Sequence, residues 1–222
     1  MPQITLPDKT KKEFADPLTV EELAAEIGPG LGRSVVAGKV NGILVDASEE
    51  IHEDSEIQIL TAEDQEGLEV IRHSCAHLLA HALKQLFPEV KLAIGPVIED
   101  GFYYDFQLEK PFTPDDLADI RKYIEEVITL KLPFAPTDIT REEASSMFSD
   151  QPFKLEIIND IPSDESISIY SHGHFSDLCR GPHLEHTGQI IAFELLSVAG
   201  AYWHGDEKRP MLQRIYGTAF ES

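Results

Sequence analysis

From Gly67 to Phe87 the apolar residues Leu68, Ile71, Cys75, Leu78, Leu79, Ala82, Leu83 and Leu86 recur at the spacing of one helical face. This predicts a long amphipathic helix ended by Pro88. Upstream, Ile4 to Leu6 and Lys12 to Phe14 flank a Pro7-Asp8 turn and read as a hairpin. Thr19 to Glu22 forms a capping box that opens a helix running to Ile27, stopped by Gly28-Pro29-Gly30. Val35 to Val40 and Ile43 to Val45 flank Asn41-Gly42, a strong signal for a tight hairpin turn, and Glu56 to Leu60 supplies a last strand. Two strands, a helix and three strands suit a β-grasp arrangement. With no nucleophile or metal cluster of its own, this region is expected to have an accessory or docking role.

A polar, acidic stretch from Thr61 to Gly67 separates a domain over residues 1–62 from a second over 63–222. In the second, Lys91 to Val97 and Phe102 to Gln107 read as paired strands. Thr113 caps a helix with Pro114 at its first position, running to about Lys131. A short strand near Pro136 to Ile139 precedes a helix capped by Thr140, and Phe153 to Asn159 fits helix or strand equally. Ile167 to Tyr170, Ile190 to Leu196 and Met211 to Tyr216 are expected to complete one antiparallel-leaning sheet. The fold class is α+β, with no repeat or low-complexity segment.

Composition narrows the class. The chain has 222 residues, 42% of them hydrophobic, and no unbroken apolar run near the length of a membrane span, so a globular, non-membrane protein is expected. The first residues carry no basic leader before an apolar stretch, so the expected location is the cytoplasm. There Cys75 and Cys179 are expected to stay reduced. Eighteen Lys and Arg against 40 Asp and Glu give a net charge of −22, spread over both halves. That opposes nonspecific nucleic-acid binding, so contact with RNA must be local or be supplied by other parts of a larger protein.

Chemistry concentrates in two segments about a hundred residues apart, His73-Ser-Cys-Ala-His77 and Asp177-Leu-Cys-Arg-Gly-Pro-His183. Helical spacing brings His73 and His77 out side by side, with His81 next along the stripe. Gly181-Pro182 interrupts the second segment, which reads as a strand end and a turn. Together the two segments point to one reactive pocket. His73, His77, Cys179 and His183 have the composition of a zinc set, although Ser74 stands where the HExxH pattern has its glutamate base. Cys179 with His183 also suits a cysteine hydrolase, its thiol activated by Arg180. A noncatalytic docking module is the third class. His172, His174 and His186 read as surface residues.

Several segments carry a family resemblance. His73-Ser-Cys-Ala-His77, Ile94-Gly95-Pro96, Gly101-Phe-Tyr-Tyr-Asp105, Cys179-Arg-Gly-Pro-His183, Ala199-Gly-Ala-Tyr-Trp203 and Met211-Leu-Gln-Arg-Ile-Tyr-Gly-Thr218 resemble the amino-terminal part of bacterial threonyl-tRNA synthetases, in the right order over essentially the whole chain. The resemblance implies a TGS domain over 1–62, a proofreading domain over 63–222, and hydrolysis of serine wrongly esterified to threonine tRNA. Serine lacks only a methyl of threonine, a difference worth about 1–3 kcal/mol in a binding site, so a second sieve is needed. The family's editing reaction implies no metal and no cofactor.

The resemblance also assigns roles. His73 acts on the attacking water or a ribose hydroxyl, Lys154 orients the water or stabilises the departing oxygen, and Asp177 binds the α-amino group. His77, Cys179 and His183 wall the pocket, and Tyr104 with the Gly95-Pro96 backbone holds the terminal adenosine. Two departures stand out. The sequence stops at Ser222, where such synthetases continue into catalytic and anticodon-binding domains, so a monomeric proofreading fragment unable to activate an amino acid is expected. His204 stands where arginine is expected.

Overall fold

The computed structural model describes residues 2–221. The first strands are β1 (Gln3–Thr5), β2 (Lys11–Glu13) and β3 (Leu18–Thr19), followed by α1 (Val20–Ile27) and α2 (Pro29–Ser34). β4 (Val35–Val40), β5 (Ile43–Asp46), β6 (Glu50–Ile51) and β7 (Ser55–Thr61) complete the small domain. The main sheet has the order β2-β1-β7-β4-β5, with β1 parallel to β7 and its other pairs antiparallel; β3 and β6 form a separate pair. This is a β-grasp sheet, and α1 buries Val20, Leu23 and Ala24 against it. Thr19 and Glu22 form the expected capping box. Asn41 and Gly42 both adopt positive φ, the backbone a two-residue hairpin needs. α1 stops at Gly28 as expected, but Pro29 starts the short α2, because proline's fixed φ suits a first helical turn.

Helix α3 (Gln65–Leu86) begins three residues after β7 ends. Only glycine fits at position 67, since a Cβ there would lie 1.9 Å from the Thr61 carbonyl oxygen. The helix is not the amphipathic surface element its spacing suggests. From Ser74 to Leu83 every residue is buried, because α3 is packed by the small domain, by α4 and by the strands of the second domain. Val36, Ala37 and Leu60 of the β-grasp sheet belong to the same apolar core as Leu78, Leu79 and Leu83.

Beyond α3 come β8 (Lys91–Leu92), β9 (Val97–Ile98), β10 (Gly101–Gln107), α4 (Pro114–Thr129), β11 (Ala135–Ile139), α5 (Arg141–Met147) and α6 (Pro152–Asp160). β12 (Ile167–His172), β13 (Phe175–Leu178), β14 (Ala192–Tyr202) and β15 (Met211–Phe220) follow. They build two antiparallel sheets rather than the expected one. β14-β15-β10-β8, with β9 also on β10, forms the larger, and β11-β12-β13 the smaller. Ile167 to Tyr170 therefore belongs to a different sheet from Ile190 to Leu196 and Met211 to Tyr216. The expected strand from Lys91 to Val97 pairs with β10 but is irregular: between β8 and β9, residues 93–96 keep backbone hydrogen bonds to Tyr103 and Asp105 while lining a cavity.

The ambiguous Phe153 to Asn159 segment is helical. Its apolar positions 153, 155, 157 and 158 fit either period, and tertiary packing decides. Phe153 and Ile157 meet Trp203 and Leu212, while Ile158 enters a second cluster with Ala144 and Phe148. Among the described residues no helix is long and apolar enough to cross a membrane.

Candidate active site

A cavity of about 400 Å³ opens between α3, the 93–96 segment, α6 and the β12-β13 sheet. Its lining includes His73, His77, Gly95, Pro96, Tyr104, Lys154, Asp177 and Cys179. Ile94, Ile157, Ile161, Ile167 and Leu178 supply apolar wall that the sequence did not single out. Of the residues expected at the site, His183 alone is not in the wall. It is fully buried behind His73 and Cys179.

Lys154 and Asp177 form an ion pair on one side. Lys154 Nζ donates to Asp177 Oδ1 at 2.7 Å, with both side chains about 5% exposed or less. The Tyr104 hydroxyl donates to Asp177 Oδ2 at 2.7 Å and accepts from Lys154 Nζ at 3.1 Å. The Leu178 N–H donates to Asp177 Oδ1 at 2.8 Å. A charge this deep survives only when paired and hydrogen-bonded. Lys154 is thus not the solvated lysine its type suggests. Tyr104 offers the cavity no free hydroxyl, and its ring fills the space over Gly95, where a Cβ would lie 2.2 Å from Tyr104 Cδ2.

His73 faces this pair from α3. Its Nδ1 lies 3.2 Å from the Pro182 carbonyl oxygen, which can only accept, so in the neutral ring Nδ1 carries the proton and Nε2 the lone pair. Burial lowers its pKa, opposed by smaller effects of the Pro182 carbonyl and Asp177, so the ring is a neutral base.

Behind it, Ser74 Oγ donates to the Val70 carbonyl and lies 3.0 Å from His183 Nδ1. It also accepts from the Leu184 N–H at 3.1 Å. His183 Nδ1–H is therefore the donor, and the single Cys179 thiol hydrogen faces two lone-pair nitrogens, His183 Nε2 at 3.1 Å and His73 Nε2 at 3.3 Å. Ser74, which replaces the glutamate of HExxH, orders this turn. Gly181, at φ +67, lies so close to Tyr170 that a Cβ would be 2.0 Å from its hydroxyl.

Burial pushes the Cys179 thiol up to about 12. A cysteine hydrolase needs the opposite shift. Arg180, expected to activate the thiol, points away and pairs with Glu165 at 2.6 Å, its side chain 72% exposed.

His73, Cys179 and His183 bring three ligand atoms within 4.8 Å of one another, a set of the kind zinc takes. His77, the fourth member expected, stands apart, its ring edge-on to His183 and its Nε2 buried without a hydrogen-bond partner. The other histidines differ from expectation. His172 is 1% exposed and contacts His77 and His81; His186 is half-buried, while His174 is exposed as expected. His172 packs inward because the β12-β13 hairpin covers α3 on this side. His204 lies 3.3 Å from Glu156 on α6, two residues from Lys154, and Trp203 and Arg209 also donate to Glu156.

The small domain reaches the site. Asp46 accepts from the Tyr170 hydroxyl at 2.6 Å and from the His183 N–H at 2.7 Å. No sequence pattern marked Asp46 or Tyr170.

Comparison with known proteins fixes the relationship. The TGS domain family matches residues 2–61, and the family described as the threonyl and alanyl tRNA synthetase second additional domain matches residues 167–216. The threonine–tRNA ligase of Hahella chejuensis (strain KCTC 2396) is 55% identical over 222 residues, 99% of this chain and 35% of that protein. Over its whole length the chain is similar to the amino-terminal region of threonyl-tRNA synthetases. The threonine–tRNA ligases of Prochlorococcus marinus (strain MIT 9211) and Nitrosomonas eutropha (strain DSM 101675 / C91 / Nm57) are 53% and 54% identical, covering 99% and 100% of the chain and 35% of each relative. The chain thus spans about a third of the length of these threonyl-tRNA synthetases. The candidate pocket draws Ile167, Asp177 and Cys179 from the segment matched by the synthetase second additional domain, the family's editing domain.

Proposed function

We propose that the cavity hydrolyses the ester joining serine to the 3′-terminal adenosine of threonine tRNA. The observation that carries this reading is the buried Lys154–Asp177 pair facing the neutral imidazole of His73 across a cavity of about 400 Å³. His73 Nε2 takes a proton from the attacking water, or from the ribose hydroxyl that relays it, as general base. The α-ammonium of serine binds Asp177. Because Lys154 occupies that carboxylate when no substrate is bound, the incoming ammonium competes with it and turns the Lys154 charge toward the ester oxygen. A ligand lacking the amino group has no means of making that exchange. In this reading the second sieve, refusal of the extra methyl of threonine, falls to the wall formed by His77, Cys179 and the apolar residues.

Aminoacylation belongs to the relatives' further length and to domains beyond these residues. With a net charge of −22, the chain holds tRNA through local contacts. The test is release of radiolabelled serine and, separately, threonine from threonine tRNA, with and without a strong chelator. Serine-selective release that survives the chelator supports the reading. Loss restored by zinc favours a metal held by His73, Cys179 and His183, and no release leaves a docking role.

A further inference from the structure

A second group of imidazoles lies on the side of His77 away from the cavity, where α3, α4 and the β12-β13 turn meet. We propose that His81 and His174, with the Tyr123 hydroxyl and the Gln85 amide oxygen, form a binding site for a divalent transition-metal ion of the zinc class, separate from the catalytic cavity. His81 Nε2 lies 3.3 Å from His174 Nε2 and 3.2 Å from the Tyr123 hydroxyl, and His174 Nε2 lies 3.2 Å from Gln85 Oε1. Zinc–nitrogen bonds of about 2.0–2.1 Å set tetrahedral ligand atoms roughly 3.3 Å apart, and these three of the six separations match that spacing.

The elements hold the donors in place. His81 and Gln85 are one turn apart on α3 and so share a face. Tyr123 comes from α4, and His174 follows Gly173, whose φ of +58 makes the β12-β13 turn. His81 Nδ1 lies 2.9 Å from His172 Nε2. One shared proton makes that contact; in the tautomer that carries it on His81 Nδ1, His81 presents Nε2 as a lone pair, the outer-shell arrangement of most metal-bound histidines. Two imidazoles with oxygen donors suit Zn²⁺, Ni²⁺ or Cu²⁺ rather than Mg²⁺ or Ca²⁺. The ion would tie the hairpin bearing Asp177 to the helix bearing His73.

Zinc uptake by the untagged chain tests this. Cys179→Ala removes the thiolate from the His73, Cys179 and His183 trio and leaves the proposed site intact. That variant is expected to bind a single Zn²⁺ in equilibrium dialysis, and adding His174→Ala to weaken binding by at least about tenfold. His174 is exposed, so its replacement leaves the fold intact. In nitrogen-15 imidazole spectra, Zn²⁺ is expected to shift Nε2 of His81 and His174 and to leave His73 and His183 unchanged. Loss of zinc uptake on Cys179→Ala alone, an unchanged affinity on His174→Ala, or shifts confined to His73 and His183 would each overturn the proposal.

Discussion

Asp46 and Tyr170 meet at 2.6 Å across 124 residues of sequence, carboxylate to hydroxyl, and the same carboxylate takes the backbone N–H of His183. The accessory domain thus fixes the turn that carries Cys179 and His183. Asp46→Ala leaves a buried hydroxyl and an N–H without their acceptor, at about 1–3 kcal/mol each. Urea unfolding is expected to report that loss, and serine release to fall with it. A variant of unchanged stability and activity would show that the small domain does not position the site.

Lys154→Ala strands the Asp177 carboxylate in the core and is expected to cost roughly 3–5 kcal/mol. The double variant Lys154→Met with Asp177→Leu removes both charges and is expected to recover most of that stability. Deacylation is expected to be absent from both. Full stability in the single variant would mean that water reaches Asp177 and that the pair is not the closed contact described here.

His73→Ala is expected to slow serine release about 10²–10⁴-fold, the usual worth of a general base. Cys179→Ala is expected to retain most of it, because a thiol pushed up to about 12 is protonated at neutral pH. The discriminating measurement is the single-turnover rate of both variants on the same charged tRNA. A collapse confined to Cys179→Ala would restore the cysteine-hydrolase reading.

Acid should destabilise this fold through its buried imidazoles. Burial is the main cause that lowers His81 to about 4 and His172 to about 2, with neighbouring histidines adding to it. In the unfolded chain both titrate near the ordinary value, about 6.5. Above that both states are neutral and stability does not depend on these rings. As pH falls below it the unfolded state binds protons that the folded state refuses, so stability drops by about 1.4 kcal/mol per pH unit for each proton. His81 ceases to contribute as pH passes its folded value. Denaturant titrations from neutral pH to about pH 5 should show a shallower slope for His81→Gln than for the parent chain, if the fold refuses that proton as described.

His73 is also held below its ordinary value by burial, so its basic form persists on acidification. Serine release is therefore expected to fall to half only below the pH at which a free imidazole would be half protonated, about 6.5. A rate that halves at that pH would place the base in water.

Much of the local structure was legible. The capping boxes at Thr19, Thr113 and Thr140, the Asn41-Gly42 turn and the long α3 are written in residues within a few positions of one another. Residues 153–159 were not legible in this way. Their apolar spacing suits more than one backbone, and the Trp203 contact selects the observed one. The surface reading of His172 failed because residue type reports an average exposure and not what packs over a particular side chain.

The sequence by itself determined the elements, the β-grasp order of the first domain, and the two histidine- and cysteine-bearing segments, because periodicity, caps and turns are set by short-range backbone hydrogen bonding and sterics. Only the tertiary structure decided that Lys154 meets Asp177, that Asp46 crosses from the small domain, that His183 lies behind the wall and that Cys179 is a protonated thiol. Those outcomes depend on desolvation and charge pairing between residues far apart in the chain, which exist only once the core has closed around them.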